Sequence, residues 1–124
     1  MPEVGFELIL DEVESADSVE VMPVLVRSSL LHGADNRPEI AIITDKVLYF
    51  GGSRARGGQF KRIPLNSVVA SSKAGVLLWE CVRLTHMELD GERTVYLCPF
   101  TGSPSLPRKD QESMGLLLGR LRRD

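Results

Sequence analysis

The sequence Glu39-Ile-Ala-Ile-Ile-Thr-Asp-Lys-Val-Leu-Tyr-Phe-Gly-Gly52 contains two short apolar runs, Ile40–Ile43 and Val47–Phe50. Only the polar residues 44–46 separate them. Two runs rich in β-branched and aromatic residues around so short a polar segment are typical of antiparallel strands joined by a tight turn. This part of the chain therefore predicts a central β-hairpin.

A segment rich in glycine and arginine, Gly51–Gly58, follows the hairpin. Its glycine content is too high for a regular element, so we expect a loop. Arg54 and Arg56 lie in this loop, and Lys61 and Arg62 come just after it. The loop is therefore basic. It lacks the Gly-Lys-Ser/Thr ending of a phosphate-binding P-loop, and no helical pattern follows it directly.

The length and composition are those of one globular domain over residues 1–124. Hydrophobic residues make up 43% of the chain and charged residues 26%, which is ordinary for a globular protein. No apolar run approaches the roughly 18–20 residues of a membrane span, and the N-terminus lacks the features of a signal peptide. Two cysteines, Cys81 and Cys98, are too few for a disulfide framework. We therefore expect a cytoplasmic protein, peripheral at the membrane if it binds one, with reduced and half-buried cysteines.

The charge distribution is more informative than the net charge of −2. The first 26 residues carry seven acids and no base, whereas residues 46–79 carry six bases and no acid. This asymmetry can create a local field that favours an anionic ligand. It can equally mean that the acidic end folds back onto the basic segment.

The first 18 residues fit two structures. Alternating apolar residues at Phe6, Leu8 and Leu10 suit a strand. The apolar residues Phe6, Ile9, Leu10 and Val13 would instead form one face of an amphipathic helix. Periodicity alone does not choose between them. After this segment the chain shows further strand-like segments at Val19–Leu31, Phe60–Leu65, Val68–Ser72 and Ala74–His86.

Asp90-Gly91 is a strong hairpin signal between two further strands. A register symmetric about this dipeptide pairs Thr85 with Tyr96, and it places Cys81 and Cys98 on one face as diagonal neighbours.

The C-terminal region, residues 105–123, predicts a helix. An apolar stripe with helical spacing is formed by Met114, Leu117, Leu118 and Leu121. Asp110 is a candidate N-cap, and a start at Ser105 is the alternative. The chain thus predicts a mainly β fold of about seven strands closed by one C-terminal α-helix.

Two segments resemble a known family. Thr44-Asp-Lys-Val-Leu-Tyr-Phe50 resembles the hairpin of GRAM and bacterial PH-like domains, and Arg62-Ile-Pro-Leu-Asn-Ser-Val-Val69 resembles the strand that follows it after a variable loop. The resemblance implies a PH-like, seven-stranded, two-sheet, partly open barrel capped by the C-terminal helix. In such domains anionic lipid headgroups often bind near the loops at the open end. The candidate anion-binding residues in this chain are then Arg54, Arg56, Lys61, Arg62, Arg37 and Arg27.

The sequence offers no catalytic pattern. His32 and His86 are isolated, neither has metal-ligand spacing to a cysteine, and no serine lies in a nucleophile-elbow context. We therefore expect a protein that is not an enzyme and that needs no metal or cofactor.

Two functions remain as hypotheses. The first is a protein-interaction module that binds a protein partner or self-associates through strand edges or the rim of the helix. The alternative is peripheral binding of anionic lipid headgroups or phosphorylated ligands through the basic loop, residues 51–62. Nucleic acid is disfavoured, because Phe60 alone is near enough to stack on a base and the acidic N-terminus would repel phosphates.

Overall fold

A computed structural model describes residues 3–27, 37–53, 57–76, 79–103, 106 and 108–121, with the backbone alone for Glu3, Arg37, Val76 and Trp79. The elements in chain order are β1 (Glu3–Val4), α1 (Phe6–Glu14), β2 (Val19–Arg27), β3 (Arg37–Thr44), β4 (Val47–Gly51), β5 (Phe60–Pro64), a 3-10 turn (Leu65–Ser67), β6 (Val68–Val76), β7 (Trp79–Glu88), β8 (Gly91–Thr101), β9 (Arg108–Lys109) and α2 (Gln111–Leu121).

The central hairpin is confirmed as β3 and β4. Asp45 and Lys46 form the turn, and Ile43 pairs with Leu48 beside it. The Thr44 hydroxyl accepts hydrogen bonds from the backbone N–H groups of Lys46 (3.1 Å) and Val47 (2.9 Å), which fixes the reversal of the chain. All five residues of β4 are buried, so this strand lies at the centre of the domain.

The strands form one antiparallel sheet in the order β1-β5-β4-β3-β2-β8-β7-β6, and β9 pairs with β8. The two ends of this order, β1 and β6, do not pair with each other, so the sheet is not closed. The structure thus confirms a mainly β fold with an antiparallel sheet and a C-terminal helix.

Helix α2 covers one face of the sheet, which we call the inner face. Its buried side chains Met114, Leu117 and Leu121 pack against the large cluster of buried side chains from strands β2 to β8. The Asp110 side chain accepts a hydrogen bond from the backbone N–H of Ser113, as expected of an N-cap.

The start of α2 differs from the predicted 105–123. Arg108 and Lys109 pair with Thr101 and Phe100 as strand β9, so the chain is extended until Asp110 caps the helix. The helix therefore spans Gln111–Leu121 in the described residues.

Helix α1 covers part of the opposite, outer face. Ile9 is 1% exposed and packs with Ile42, Val47, Tyr49 and Phe60 of strands β3, β4 and β5. The first segment is therefore a helix, because its i, i+4 residues find an apolar face to cover.

Strands β6 and β7 replace the single run expected over Ala74–His86. The chain reverses between Val76 and Trp79, which pair with each other, and residues 77–78 between them lie outside the described part. These two residues are both leucine, and neither is one of the Gly, Pro, Asn or Asp residues that normally mark a turn.

The register of the β7–β8 hairpin also differs from the prediction. The turn is Leu89-Asp90, and Gly91 is already the first residue of β8, opposite Glu88. Its φ of +125° is a conformation that suits glycine. Pairing is shifted by two residues, so Tyr96 lies opposite Arg83 and not opposite Thr85.

This shift has a covalent consequence. Cys81 and Cys98 become direct cross-strand neighbours, with 4.2 Å between their Cα atoms, and form a disulfide. Both residues are fully buried on the outer face in a small cluster with Leu25 and Phe100. The expectation of reduced, diagonal and half-buried cysteines was therefore wrong.

Leu117→Ala is expected to lower the free energy of unfolding by about 2–5 kcal/mol, because Leu117 is 0% exposed between α2 and the sheet. Leu116→Ala on the same helix is the matched control, since Leu116 is 36% exposed. Urea unfolding of both variants measures the difference. Equal losses would contradict the described packing of α2.

The disulfide predicts that the native protein has no reactive thiol. Titration with a thiol reagent in denaturant is expected to detect no free cysteine before reduction and both cysteines afterwards. Detection of two thiols without a reductant would show that the pair is not bonded.

Candidate functional site

The two basic residues of β5 do not lie on the same face of the sheet. Lys61 and Arg62 are neighbours on a strand, so their side chains point to opposite faces of the sheet. Arg62 lies on the outer face beneath α1, and Lys61 lies on the inner face. The structure therefore separates two residues that the sequence grouped into one site.

Arg62 forms a two-point ion pair with Glu12 of α1. Its Nε and one terminal nitrogen each donate to a different Glu12 oxygen at 2.8 Å. The fully buried Tyr49 donates its hydroxyl hydrogen to the same carboxylate. In this contact the acidic N-terminal segment folds back onto the basic segment, which was one of the two explanations of the charge asymmetry.

The pKa values within this cluster follow from its hydrogen bonds and burial. The pKa of Glu12 is lowered, chiefly because Arg62 hydrogen-bonds its carboxylate. Burial raises the pKa of the Tyr49 phenol, and the adjacent Glu12 carboxylate raises it further. Glu12 is therefore ionised and Tyr49 protonated at neutral pH.

Lys61 pairs with Glu88, which is only 6% exposed at its side chain, and Arg93 approaches the same carboxylate at 3.3 Å. The hydrogen bond from Lys61 is the main reason that the pKa of Glu88 is lowered. His86 lies two residues before Glu88 on the same face of β7, and burial lowers its pKa. This cluster joins β5 to the β7–β8 hairpin across the side of the sheet that backbone pairing leaves open.

The other predicted anion-binding residues lie elsewhere. Arg27 is on the outer face of β2, which is separated from β5 by strands β4 and β3 in the sheet. Arg37 begins β3, and its side chain is outside the described part, as are Arg54 and Arg56. The described residues thus do not bring the predicted set into one concavity.

Sequence reasoning missed a row of three side chains on the outer face. Tyr96 of β8 lies directly opposite Arg27 of β2 on one side and directly opposite Arg83 of β7 on the other. The Arg83 guanidinium carbon is 5.9 Å from the centre of the Tyr96 ring. The assumed hairpin register hid this row, because it placed Thr85 opposite Tyr96.

The second feature that the sequence did not locate is a sheet edge. Among the described strands β6 pairs with β7 only, and its nine residues form the end of the sheet. Ala70, Ser72, Lys73 and Gly75 are exposed along it.

The disulfide reveals which backbone groups of β6 face outward. A Cα separation of 4.2 Å is that of a non-hydrogen-bonded pair, so Cys81 turns its N–H and C=O away from β8 and toward Ala74 of β6. The alternate residues Ser71, Lys73 and Gly75 therefore direct their backbone groups to the free edge.

Two depressions of about 350 and 160 Å³ flank the β3–β4 turn and share Asp45, Lys46 and Val47 in their walls. Arg62 lines the larger one and Glu12 the smaller, and these two residues are already paired with each other. In the described ranges no group of three or more His, Cys, Asp or Glu side chains could hold a metal ion. No helix in those ranges is long and apolar enough to cross a membrane.

A comparison with protein-family models gave no match, and neither did a search of curated protein sequences.

Glu12→Gln is expected to lower the free energy of unfolding at pH 7 by about 1–3 kcal/mol, since it leaves Arg62 and Tyr49 without their anionic partner. Because the pKa of Glu12 is lowered from its ordinary value of 4.5, its contribution is complete above that pH and is lost as the pH falls through the folded-state pKa. The difference between wild type and variant should therefore shrink in acid.

Asp11→Asn is the matched control, because Asp11 is exposed on the same helix. Urea unfolding from pH 7 to pH 3 measures all three proteins. A difference between wild type and Glu12→Gln that does not change with pH would contradict the assigned ion pair.

Proposed function

We propose that this protein is a non-catalytic interaction module of PH/GRAM-like fold that self-associates through the free edge of β6. The fold assignment is supported by the two sequence motifs, by seven strands of five or more residues among those described, and by a C-terminal helix that packs on the inner face. The interaction is supported by one observation, the length and composition of the β6 edge.

A free edge strand presents unpaired backbone groups on which another strand can form. Proteins normally protect such edges with short strands, proline, β-bulges or charged side chains, lysine above all. In β6 the pairing is irregular only between Val68 and Ala70, which leaves the residues from Ala70 to Val76 in regular register. The sequence of β6, Val-Val-Ala-Ser-Ser-Lys-Ala-Gly-Val, has no proline and one charged residue. Lys73 is that residue, and it pairs with Glu80 of the neighbouring strand. The small side chains leave room for a strand to approach.

The other end of the sheet is protected. Strand β1 pairs with Phe60 and Lys61 of β5, so these residues already have a backbone partner on the side away from β4. The end of β5 is Pro64, which has no N–H to donate. The contrast between the two ends favours β6 as the interaction element.

A second copy of the chain can pair with the β6 edge in an antiparallel register. Antiparallel pairing about a two-fold axis at Ser72 places Ser71 of each copy opposite Lys73 of the other. Both residues direct their backbone groups toward the free edge of the sheet. An axis at Lys73 would instead oppose two like charges. Of these two axes we assign the one at Ser72, which places Ala70 and Ala74 opposite each other on the outer face.

The alternative function, anion binding by the loop 51–62, has less support. Lys61 and Arg62 form ion pairs with Glu88 and Glu12 of the same chain. An anionic ligand would have to displace these carboxylates. The described residues thus favour structural roles for both bases.

Lys73→Pro is expected to convert a dimer to a monomer, because proline removes an outward N–H without removing a bond to β7. Lys73→Ala is the matched control: it keeps the N–H and loses only an exposed ion pair, whose contribution to stability is small. Size-exclusion chromatography with light scattering over a range of concentrations measures the outcome.

Circular dichroism establishes that each variant is folded. A wild-type protein that is monomeric at every concentration would overturn the proposed self-association. A dimer that persists in folded Lys73→Pro would exclude β6 as its interface.

A further inference from the structure

Arg27, Tyr96 and Arg83 form a continuous row across three adjacent strands of the outer face. Each arginine is in direct register with the tyrosine, on opposite sides of it. Adjacent strands are about 4.8 Å apart, so the two arginine Cα atoms are roughly 10 Å apart. Arginine side chains are long enough for both guanidinium groups to reach one small ligand above the ring.

Neither arginine of this row is neutralised within the described residues. Six other described bases form ion pairs with acids of the chain: Lys61, Arg62, Lys73, Arg93, Lys109 and Arg120. No ion pair with an acid is found for Arg27 or Arg83 among the described residues. The row is therefore a local positive site on a chain of net charge −2.

Arg27 adds a second, independent observation. Its Nε is buried and has no hydrogen-bond partner among the described residues. A buried polar group without a partner is costly, and native structures usually satisfy such groups. Because this Nε is out of reach of solvent, an anion oxygen meets it only when the Arg27 side chain turns outward, and that oxygen would then provide the missing acceptor.

The row rests on a rigid base. The half-buried Tyr96 packs against the cluster that contains Leu25, Phe100 and the disulfide between Cys81 and Cys98. A site on paired strands above a covalent cross-link holds its side chains more precisely than a loop does. The phenol adds one hydroxyl donor to the row.

We propose that Arg27, Tyr96 and Arg83 bind a phosphate-class oxyanion. Guanidinium groups donate paired N–H bonds that match the geometry of phosphate oxygens, and such charge-assisted bonds are among the strongest in proteins. The phosphate is either free or part of a phosphate monoester, and the chemistry of the site is the same for both. This site is distinct from the basic loop 51–62 and does not depend on the β6 edge.

The test is a titration of the 15N-labelled protein with inorganic phosphate, followed by NMR at constant ionic strength, with sodium chloride as the control salt. Phosphate is expected to shift the backbone signals of Arg27, Arg83 and Tyr96 and the arginine Nε–H signals of the first two. Arg83→Gln and Arg27→Gln should each weaken binding roughly tenfold or more, since each removes a charge-assisted contact.

Arg108→Gln is the matched control, because Arg108 is an exposed arginine outside the row. It should leave the phosphate affinity unchanged. Dispersed spectra of the variants establish that they are folded, and Arg83→Lys, which keeps the charge but not the planar fork, is a second probe that should also bind more weakly.

The two sources of phosphate are distinguished by repeating the titration with glycerol 3-phosphate and O-phosphoserine. Tighter binding of either ester than of phosphate would assign the site to an esterified ligand, and equal binding would assign it to free phosphate. No phosphate-specific shift in the row, or shifts that remain in both glutamine variants, would overturn the proposal.

Discussion

The two-residue period of β5 determines what its basic residues can do. Because side chains alternate across a sheet, Lys61 and Arg62 meet different acids on different faces. Arg62 holds α1 on the outer face through Glu12, and Lys61 holds β5 against the β7–β8 hairpin through Glu88. Two charges adjacent in sequence thus stabilise two separate packing contacts, and neither is left over for a shared ligand site.

The central hairpin and the last helix could be predicted because their signals are local. Thr44 begins a two-residue turn that its own hydroxyl stabilises, and Asp110 caps a helix whose apolar stripe begins four residues further on. The first segment could not be assigned in this way. Ile9 and Val13 favour a helix only because strands β3 to β5 offer an apolar outer face, and that face is a product of the whole fold.

The β7–β8 register shows how a small local error hides a site. Asp90-Gly91 is a strong turn signal, but Gly91 uses its positive φ as the first strand residue. Moving the turn centre by one residue shifts the pairing by two, which keeps every side chain on its face and changes every partner. The disulfide and the contact of Arg83 with Tyr96 both depend on this shift, so neither could be predicted from an otherwise correct hairpin.

The same register links the two features to which we assign binding functions, and it also makes them independent. The non-hydrogen-bonded pairing of Cys81 with Cys98 directs the outward backbone groups of β6 to the sheet edge, and the disulfide supports Tyr96 from below. A partner strand at the edge would bind through backbone groups, which every residue but proline provides, so its specificity would come from register and space. An anion at the Arg27–Tyr96–Arg83 row would bind through side chains, and Arg83 is directed toward β8, away from β6. A ligand on the row would therefore leave the edge free, so the two proposed functions do not compete for the same groups.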